Sequence, residues 1–268
     1  MAPLRLSPSA INTYFRSPRL FYYQYILKMK SPPNIHLYKG SFIHKILEDL
    51  FVVPQYKDLP TFFSNKMKSW EPPEKIIEHM SEADLEYDHK ADTELILSMF
   101  ANRFEEKIAM VINEGKARDK NHAWNLLRPK FREHKIFDKE RNVVGIIDSI
   151  ETDYSNHTYI IDYKTSKLFR HTLPEDYIRQ VSIYAYLFLK ENGVLPDYSG
   201  IHYLRYGEIF LIPITKEIIE QAKKDIDFVR EKTKSRDIND YPKGTDEYAL
   251  RDIEYFEQKL GTIDLSTI

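Results

Sequence analysis

The sequence predicts an α/β fold in which helices flank a mixed central β-sheet. Apolar runs and alternating apolar residues indicate five short strands, at about 130–138, 142–153, 158–165, 200–206 and 208–214. Helical patterns precede the strands, separate the third from the fourth, and follow the fifth. This order of strands and helices is typical of a mixed sheet covered by helices.

Start and stop signals place the helices between these strands. Two helices are predicted to begin where a serine N-cap precedes a proline, at Ser7-Pro8 and Ser17-Pro18. A third is expected from Gly40 to about residue 51, with one broad apolar face. Later helices are expected at about 175–192, about 215–234 and about 246–260, the first of them ended by Gly193.

These elements divide the chain into four predicted regions. Residues 1–53 form the N-terminal helices of the core, and residues 54–125 form a helical insertion whose clearest part is 91–114. Residues 126–235 form the sheet and its helices. Residues 236–268 form a C-terminal tail expected to pack on the core.

Composition excludes several classes of protein and site. The 39 basic and 41 acidic residues give a net charge of −2, so there is no global attraction to nucleic acid or anionic membranes. The sequence has no cysteine, which excludes disulfides, zinc–thiolate sites and cysteine-ligated iron–sulfur clusters. No apolar run approaches the roughly 18 residues of a membrane helix, and the N-terminus lacks a signal-peptide core. We therefore expect a cytoplasmic protein without membrane contact.

The second and third strands carry the residues that suggest chemistry. If the hairpin between them is symmetric about Ser155, Asp148 lies opposite Asp162. Opposed carboxylates repel, and the apolar neighbours of both residues predict buried strands, so the pair needs a cation. Carboxylate oxygens suit Mg²⁺ or Mn²⁺. The alternative is that both aspartates face solvent.

Other polar residues have both an ordinary and a functional interpretation. Lys164 shares a strand face with Asp162, so it either neutralises that carboxylate or stabilises charge on a phosphate. His44 is either a packed or surface histidine or a metal ligand, and imidazole suits manganese better than magnesium. Gln180 and Tyr184 lie four apart on one helix, either as ordinary packing or as hydrogen-bonding groups for a phosphate or base.

A basic cluster directly follows the third strand. Lys167 and Arg170 extend it beyond Lys164, and they are the best candidates among the basic residues for phosphate contact. The other basic clusters are interpreted as solvated surface.

Four short motifs in a fixed order resemble one nuclease family. They are G-x-x-x-H at 40–44, G-x-x-D at 145–148, D-x-K at 162–164 and Q-x-x-x-Y at 180–184. Together with the opening LSPSAINTYFRSPRLFYYQY, they are similar to the RecB-like branch of the PD-(D/E)xK nucleases. That branch includes the CRISPR-associated RecB-like exonucleases and the AddB C-terminal nuclease domain. The resemblance covers residues 6–52 and 130–215.

The resemblance implies a restriction-endonuclease-like core and a divalent-metal-dependent DNA nuclease using Mg²⁺ or Mn²⁺. It implies a set of metal ligands, a catalytic lysine, and supporting or DNA-contacting residues. The metal ligands would be His44, Asp148, Asp162 and the Tyr163 carbonyl. Lys164 would be the catalytic lysine, and Gln180 and Tyr184 would support the site and contact DNA. The two aspartates are expected to be catalytic as well.

The chain departs from many relatives in one respect. Ser17 stands where their first iron–sulfur cysteine would fall, so the cluster cannot form and the two terminal segments must dock by ordinary packing. A phosphate-binding G-x-x-x-x-G-K-[S/T] loop is absent from the sequence. A helicase or a recombination or replication protein would therefore be a separate partner.

The predicted function is an exonuclease acting on single-stranded DNA or DNA ends. One alternative is a nuclease-fold module that binds DNA or assembles with other proteins without cutting. Two others keep the chemistry but change the target: a structure-specific endonuclease, and a metal enzyme acting on RNA.

Overall fold

A five-stranded β-sheet forms the centre of the fold. The computed structural model describes residues 4–52, 54–167 and 171–261. The strands lie in chain order: β1 Phe131–Asp138, β2 Val143–Thr152, β3 Thr158–Lys164, β4 Tyr198–Tyr203 and β5 Glu208–Pro213. Strands β3 and β4 pair in parallel, and the other three pairings are antiparallel. The predicted α/β fold with a mixed sheet is confirmed.

Helices precede, interrupt and follow the sheet. The first group is α1 Pro8–Arg16, α2 Pro18–Phe21 with the π-helical turn Tyr22–Ile26, and α3 Ile35–Val52. The second group is α4 Leu59–Met67, α5 Glu74–Ile77, α6 Glu82–Glu86, α7 His89–Asn113 and α8 Lys120–Leu127. The last group is α9 Glu175–Asn192, α10 Lys216–Lys232, the 3₁₀ turn Ile238–Asp240 and α11 Glu247–Gly261. Among the described helices, none combines the length and apolarity needed to cross a membrane.

Helix α3 begins earlier than its sequence predicts. The expected start was Gly40, but the helix begins at Ile35 because the Asn34 side chain accepts hydrogen bonds from the backbone N–H groups of His36 and Leu37, at 2.8 and 3.2 Å. Gly40 therefore lies inside the helix. A β-carbon there would be 3.6 Å from Thr165 Oγ1, an ordinary van der Waals contact, so α3 lies against the end of β3 at this point without requiring a glycine.

Two layers of helices cover the sheet and separate neighbouring residues of β3. Ile160 faces the core formed with α1, α9, α10 and α11, while Ile161 and Tyr163 face a second core formed with α3, α7 and α8. Because side chains alternate along a strand, Asp162 points to the α9 side and Tyr163 to the α7 side. The part of β3 that carries Asp162 is therefore packed against helices on both faces of the sheet.

The β2–β3 hairpin has the register that symmetry about Ser155 predicts. Paired residues run from Thr152–Thr158 to Ser149–Ile161. The next position toward the end of β3 would place Asp148 opposite Asp162, and the regular pairing stops just before it.

The β1–β2 pairing is interrupted at that same level. Glu133 and Asp148 are the skipped pair, and Glu133 has a φ of +44°, in the left-handed region that non-glycine residues rarely occupy. Ile147 and Ile150 both point into the α9-side core, although strict alternation would send them to opposite faces. The side-chain alternation of β2 therefore shifts by one residue across Asp148, although the β1–β2 register is the same on both sides and no residue is inserted.

The described N- and C-terminal segments are joined by hydrogen bonds as well as by the packing expected for a chain without cluster cysteines. Ser17 Oγ donates to the Lys243 carbonyl at 2.6 Å, and Arg19 Nε donates to the Tyr241 carbonyl at 2.7 Å. Helix α11 adds Ile253 and Phe256 to the α9-side core. Backbone acceptors and apolar packing thus join the N- and C-terminal segments.

Candidate metal centre

Three potential ligands converge at the end of β3, where α3 crosses the sheet. His44 Nδ1 lies 3.4 Å from Asp148 Oδ1 and 3.9 Å from Glu133 Oε1. One ligand atom from each of these residues lies within 4.8 Å of the others. His44 Nε2 lies 3.2 Å from the Tyr163 carbonyl oxygen. The structure therefore brings together three of the four predicted metal ligands and adds Glu133.

The irregular pairing of β1 and β2 is what aims the carboxylates. Glu133 and Asp148 form the skipped pair, so both side chains leave the regular alternation and turn toward His44 on α3. Sequence reasoning missed Glu133, because a left-handed φ at a glutamate cannot be read from the residue type. A charged residue in a predicted strand beside the G-x-x-D motif was the available signal.

Asp148 also fixes the edge of β3. Its Oδ2 accepts a hydrogen bond from the Tyr163 backbone N–H at 2.7 Å, while Oδ1 faces His44. The side chain thus takes the place of a backbone acceptor where the β2–β3 ladder ends. One carboxylate holds the strand and presents a free oxygen to the site.

Asp162 is placed beside this group and not within it. It is only 3% exposed, and its Oδ1 accepts a hydrogen bond from Gln180 Nε2 at 3.0 Å. Its Oδ2 lies 2.7 Å from Lys164 Nζ, but in poor alignment, and it receives no hydrogen bond from any described residue. We expected Asp148 and Asp162 to face a common ion. In the structure the two side chains are neighbours, but Asp162 turns toward Lys164 and Gln180, so a shared ion stays a prediction.

The electrostatics of the site call for a cation. Burial raises the pKa of Asp162, Lys164 opposes that shift, and Asp148 adds to it. Burial would lower the pKa of His44, but hydrogen bonding to Asp148 and Glu133 outweighs it and raises that pKa to about 10. A proton on His44 therefore supplies the positive charge that the carboxylates need when no metal does.

The donor set fits a hard divalent ion. It offers carboxylate oxygens, one imidazole nitrogen and one backbone carbonyl, the mixture that suits Mg²⁺ or Mn²⁺, with the imidazole favouring Mn²⁺. The buried Asp162 Oδ2 supplies a further acceptor without a hydrogen bond from the described residues.

Lys164 is held beside the carboxylates by Gln180. Its Nζ donates to Gln180 Oε1 at 3.0 Å. Burial would lower the pKa of Lys164, but the Asp162 carboxylate outweighs burial and raises it. Gln180 Nε2 also contacts the Tyr184 hydroxyl at 3.2 Å. Tyr184 is 7% exposed, so it supports Gln180 from below and does not present the DNA-contacting surface that the motif implied.

Two basic residues that follow β3, Lys167 and Arg170, are predicted to contact phosphate. The Lys167 ammonium lies 3.3 Å from the centroid of the Tyr87 ring, in the segment between α6 and α7. Arg170 lies outside the described residues.

An open groove of about 610 Å³ leads to the candidate metal centre. It runs along α3 to the end of β3, and its lining includes Gly40, His44, Lys45, Lys164 and Thr165. A ligand in this groove reaches His44 and Lys164 together.

Comparison with known proteins gives one family match and two individual relatives. A model described as the PD-(D/E)XK nuclease superfamily matches residues 5–258. A component of an ATP-dependent helicase/deoxyribonuclease from Streptococcus mutans serotype c (strain ATCC 700610 / UA159) is 25% identical over 170 residues, 62% of this chain and 14% of that protein. The chain thus spans a small part of that relative. A solved Eubacterium rectale protein, provisionally assigned as an exonuclease, shares 9% identity with a TM-score of 0.47, over 93% of this chain and 81% of that one.

Proposed function

Because the chain belongs to the PD-(D/E)XK nuclease superfamily, as its motifs predicted, we propose that it is a divalent-metal-dependent deoxyribonuclease that hydrolyses phosphodiester bonds. One observation carries the proposal. The His44–Glu133–Asp148 group and the Asp162–Lys164 pair lie side by side at the end of β3. Metal ligands and a cation for the phosphate are thus presented to one groove.

The metal would be held by His44, Glu133, Asp148 and the Tyr163 carbonyl. Asp162 lies beside this group, with its Oδ2 2.7 Å from Lys164 Nζ. When bound, a divalent ion supplies a Lewis acid and lowers the pKa of a coordinated water. The protein contributes the placement of these oxygens through α3, the irregular β1–β2 pairing and the end of β3.

Lys164 would stabilise negative charge on the phosphate under attack. Its ammonium is fixed by Gln180 and Asp162, so it needs no reorganisation during the reaction. Its raised pKa keeps it protonated, which suits an electrostatic role and argues against a general base. Gln180 and Tyr184 act as positioning residues beneath it.

We assign single-stranded DNA or DNA ends as the substrate, cut by an exonuclease. The groove of about 610 Å³ is within the range of small-ligand sites, about 300–1,000 Å³, which suits a few nucleotides of one strand better than a duplex. With a net charge of −2, attraction to DNA depends on local groups such as Lys45 and Lys164.

A motor protein is the partner we infer. The Streptococcus mutans relative, of which this chain spans a small part, is named as part of an ATP-dependent helicase/deoxyribonuclease. A helicase or a recombination or replication protein would then deliver single strands to the groove.

The test is a cleavage assay on end-labelled single- and double-stranded DNA and on RNA, with Mg²⁺, Mn²⁺ or EDTA. The expected result is metal-dependent shortening of single-stranded DNA from an end, with no product in EDTA. Asp162→Asn and Lys164→Met should each lower the rate by about 10²-fold or more, as removal of a transition-state contact does. Lys190→Met is the matched control, because Lys190 pairs with Glu140, far from the groove.

Any other result would indicate a different activity for this chain. DNA binding without turnover in any metal would indicate an inactive binding or assembly module. Internal cuts would indicate an endonuclease. Cleavage of RNA alone would indicate that the substrate is RNA and not DNA. Full activity of a folded Asp162→Asn protein would defeat the assignment of the site.

A further inference from the structure

A second cavity, of about 380 Å³, lies on the sheet face opposite Asp162. It opens between α7 and the strands β3 to β5, and its volume falls within the range of about 300–1,000 Å³ typical of small-molecule sites. Three aromatic rings form its walls, those of Phe51, Phe100 and Phe104. It shares Tyr163 with the candidate metal centre, and this residue contributes its ring here and its carbonyl there.

His202 contributes an unpaired polar group to this cavity. It is 7% exposed, lies against the rings of Phe100 and Tyr163, and makes no hydrogen bond to any described residue. The ring nitrogens of His202 retain contact with the cavity space, since they are not among the described polar atoms that are fully buried without a partner. They offer hydrogen-bonding positions to a ligand with a polar edge.

Glu151 adds acceptor oxygens beside the histidine. Its Oε1 accepts a hydrogen bond from Ser149 Oγ at 3.0 Å, which orients the carboxylate within the cavity lining. The imidazole and the carboxylate together can form hydrogen bonds with a heterocyclic ring that carries both donors and acceptors. A purely apolar ligand, such as an acyl chain, would leave both groups without a ligand partner.

A cation is available at the mouth. Lys107 lines the cavity and forms no ion pair within the described part of the chain. The neighbouring Arg103 is already engaged, with its Nη1 3.1 Å from Glu106 Oε2. Its stem crosses Gly207, where a β-carbon would lie 2.7 Å from Arg103 Cγ. Lys107 is therefore the group placed to meet an anion.

We propose that this cavity binds a nucleoside monophosphate, with the base lying against the phenylalanine rings, its polar edge at His202 and Glu151, and its phosphate at Lys107. The base matches the aromatic walls, its polar edge matches His202 and Glu151, and the phosphate matches the Lys107 ammonium. An inorganic anion alone would meet the acidic groups Glu106 and Glu208 at the rim. The site is separate from the proposed cleavage chemistry and does not depend on it.

The experiment is calorimetric titration of the full chain with dAMP and dCMP in EDTA, so that no metal can bridge phosphate to His44 or Asp148. Submillimolar binding of at least one nucleotide is expected, with weaker binding of the matching nucleoside. Inorganic phosphate and ribose 5-phosphate should give no measurable heat. The absence of heat with both nucleotides, or equal binding of phosphate alone, would overturn the proposal.

Two variants locate the ligand. Lys107→Met should weaken nucleotide binding by about tenfold or more, the effect of losing one charged hydrogen bond. His202→Phe, which fills the same space without ring nitrogens, should weaken nucleotides as well. Lys90→Met is the control on the same helix, outside the cavity lining, and should bind like the parent. If His202→Phe fails to fold, the rim variant decides: parental affinity of Lys107→Met contradicts the site.

Discussion

Asp148 Oδ2 accepts a hydrogen bond from the Tyr163 backbone N–H at 2.7 Å, so a single carboxylate joins β2 to β3 where their ladder ends. The other oxygen of the same carboxylate lies 3.4 Å from His44 Nδ1. Strand geometry and the candidate metal centre therefore depend on one side chain. The two dependences can be separated by substitution.

Asp148→Asn and Asp148→Ala should differ in stability but agree in activity. The asparagine carbonyl can still accept from Tyr163 N–H, whereas alanine leaves that donor without a partner. We expect the alanine variant to have a free energy of unfolding lower than that of the asparagine variant by about 1–3 kcal/mol, the cost of an unsatisfied buried donor. Both should lose metal-dependent cleavage, because each removes a ligand oxygen facing His44.

Urea denaturation in EDTA measures the stability difference without bound metal. Cleavage of labelled single-stranded DNA in Mn²⁺ measures activity. Equal unfolding free energies would show that the bond to Tyr163 contributes nothing. An active asparagine variant would show that Asp148 is no ligand.

The Gln180–Lys164 contact gives a second prediction. Gln180→Leu removes the acceptor for Lys164 and the donor for Asp162, at 3.0 Å each, while retaining a side chain of similar size. The cleavage rate should fall by about 10–100-fold, the usual effect of losing a group that orients metal-site residues. Tyr184→Phe removes only the hydroxyl beneath Gln180 and should cost less.

Steady-state cleavage rates at saturating Mn²⁺ test this order of effects. A Tyr184→Phe enzyme slower than Gln180→Leu would contradict the arrangement in which Tyr184 acts through Gln180. Thermal denaturation of both variants checks that the loss is not due to unfolding.

How far the sequence predicts this molecule depends on which interactions set each feature. The strands, the hairpin register and both serine-capped helix starts follow from local periodicity and capping, and they agree with the structure. Glu133 could not be predicted, because it reaches the site through a left-handed backbone and a skipped pair that depend on tertiary packing. The orientation of Asp162 toward Gln180 depends likewise on how α9 crosses the sheet.

A buried ion network is centred on Asp92. Asp92 on α7 lies 2.5 Å from Lys39 Nζ and binds both terminal nitrogens of Arg205, at 2.6 and 2.7 Å. The Tyr87 hydroxyl donates to it at 2.7 Å. Asp92 and Lys39 are each 3% exposed at the side chain. This network links α3, α7 and the turn after β4.

Asp92→Asn should lower the free energy of unfolding by about 3–5 kcal/mol, because it leaves two buried cations without their carboxylate. Glu94→Gln on the same helix is an exposed control and should change stability little. Urea denaturation at neutral pH compares the two. A loss from Asp92→Asn no larger than that of the control would contradict the role of the network.

The same network predicts a pH dependence of definite sign. Burial would raise the pKa of Asp92, but hydrogen bonds from Arg205, Lys39 and Tyr87 outweigh it and hold that pKa below its usual value. A carboxyl with a lowered folded pKa stabilises the protein above the unfolded pKa of about 3.9, and that contribution is lost as pH falls.

The stability gap between the parent protein and Asp92→Asn should therefore stay constant above about pH 5 and narrow below about pH 4. Urea titrations across this range measure the gap. A gap that widens on acidification would have the wrong sign for a depressed carboxyl pKa.

Ser17 offers a test of how the termini are held together. Its hydroxyl accepts from Leu20 N–H at 3.1 Å as the N-cap of α2 and donates to the Lys243 carbonyl at 2.6 Å. Ser7 caps α1 in the same way, through Ala10 N–H at 3.1 Å, but its hydroxyl otherwise contacts only the nearby Ser9 among the described residues. Ser17→Ala thus removes a cap and a bond to the C-terminal segment, whereas Ser7→Ala removes no such bond.

Both variants should lose about 1 kcal/mol from the cap, and Ser17→Ala should lose about 0.5–1.5 kcal/mol more from the bond to Lys243. The discriminating measurement is hydrogen exchange. Amides of α11 should exchange faster in Ser17→Ala than in Ser7→Ala, because opening of the C-terminal segment is a local event once its tether is cut. Equal exchange in α11 would mean that the remaining contacts, among them the Arg19–Tyr241 hydrogen bond and the packing of Ile253 and Phe256, are enough to hold the tail, and that Ser17 acts only as a helix cap.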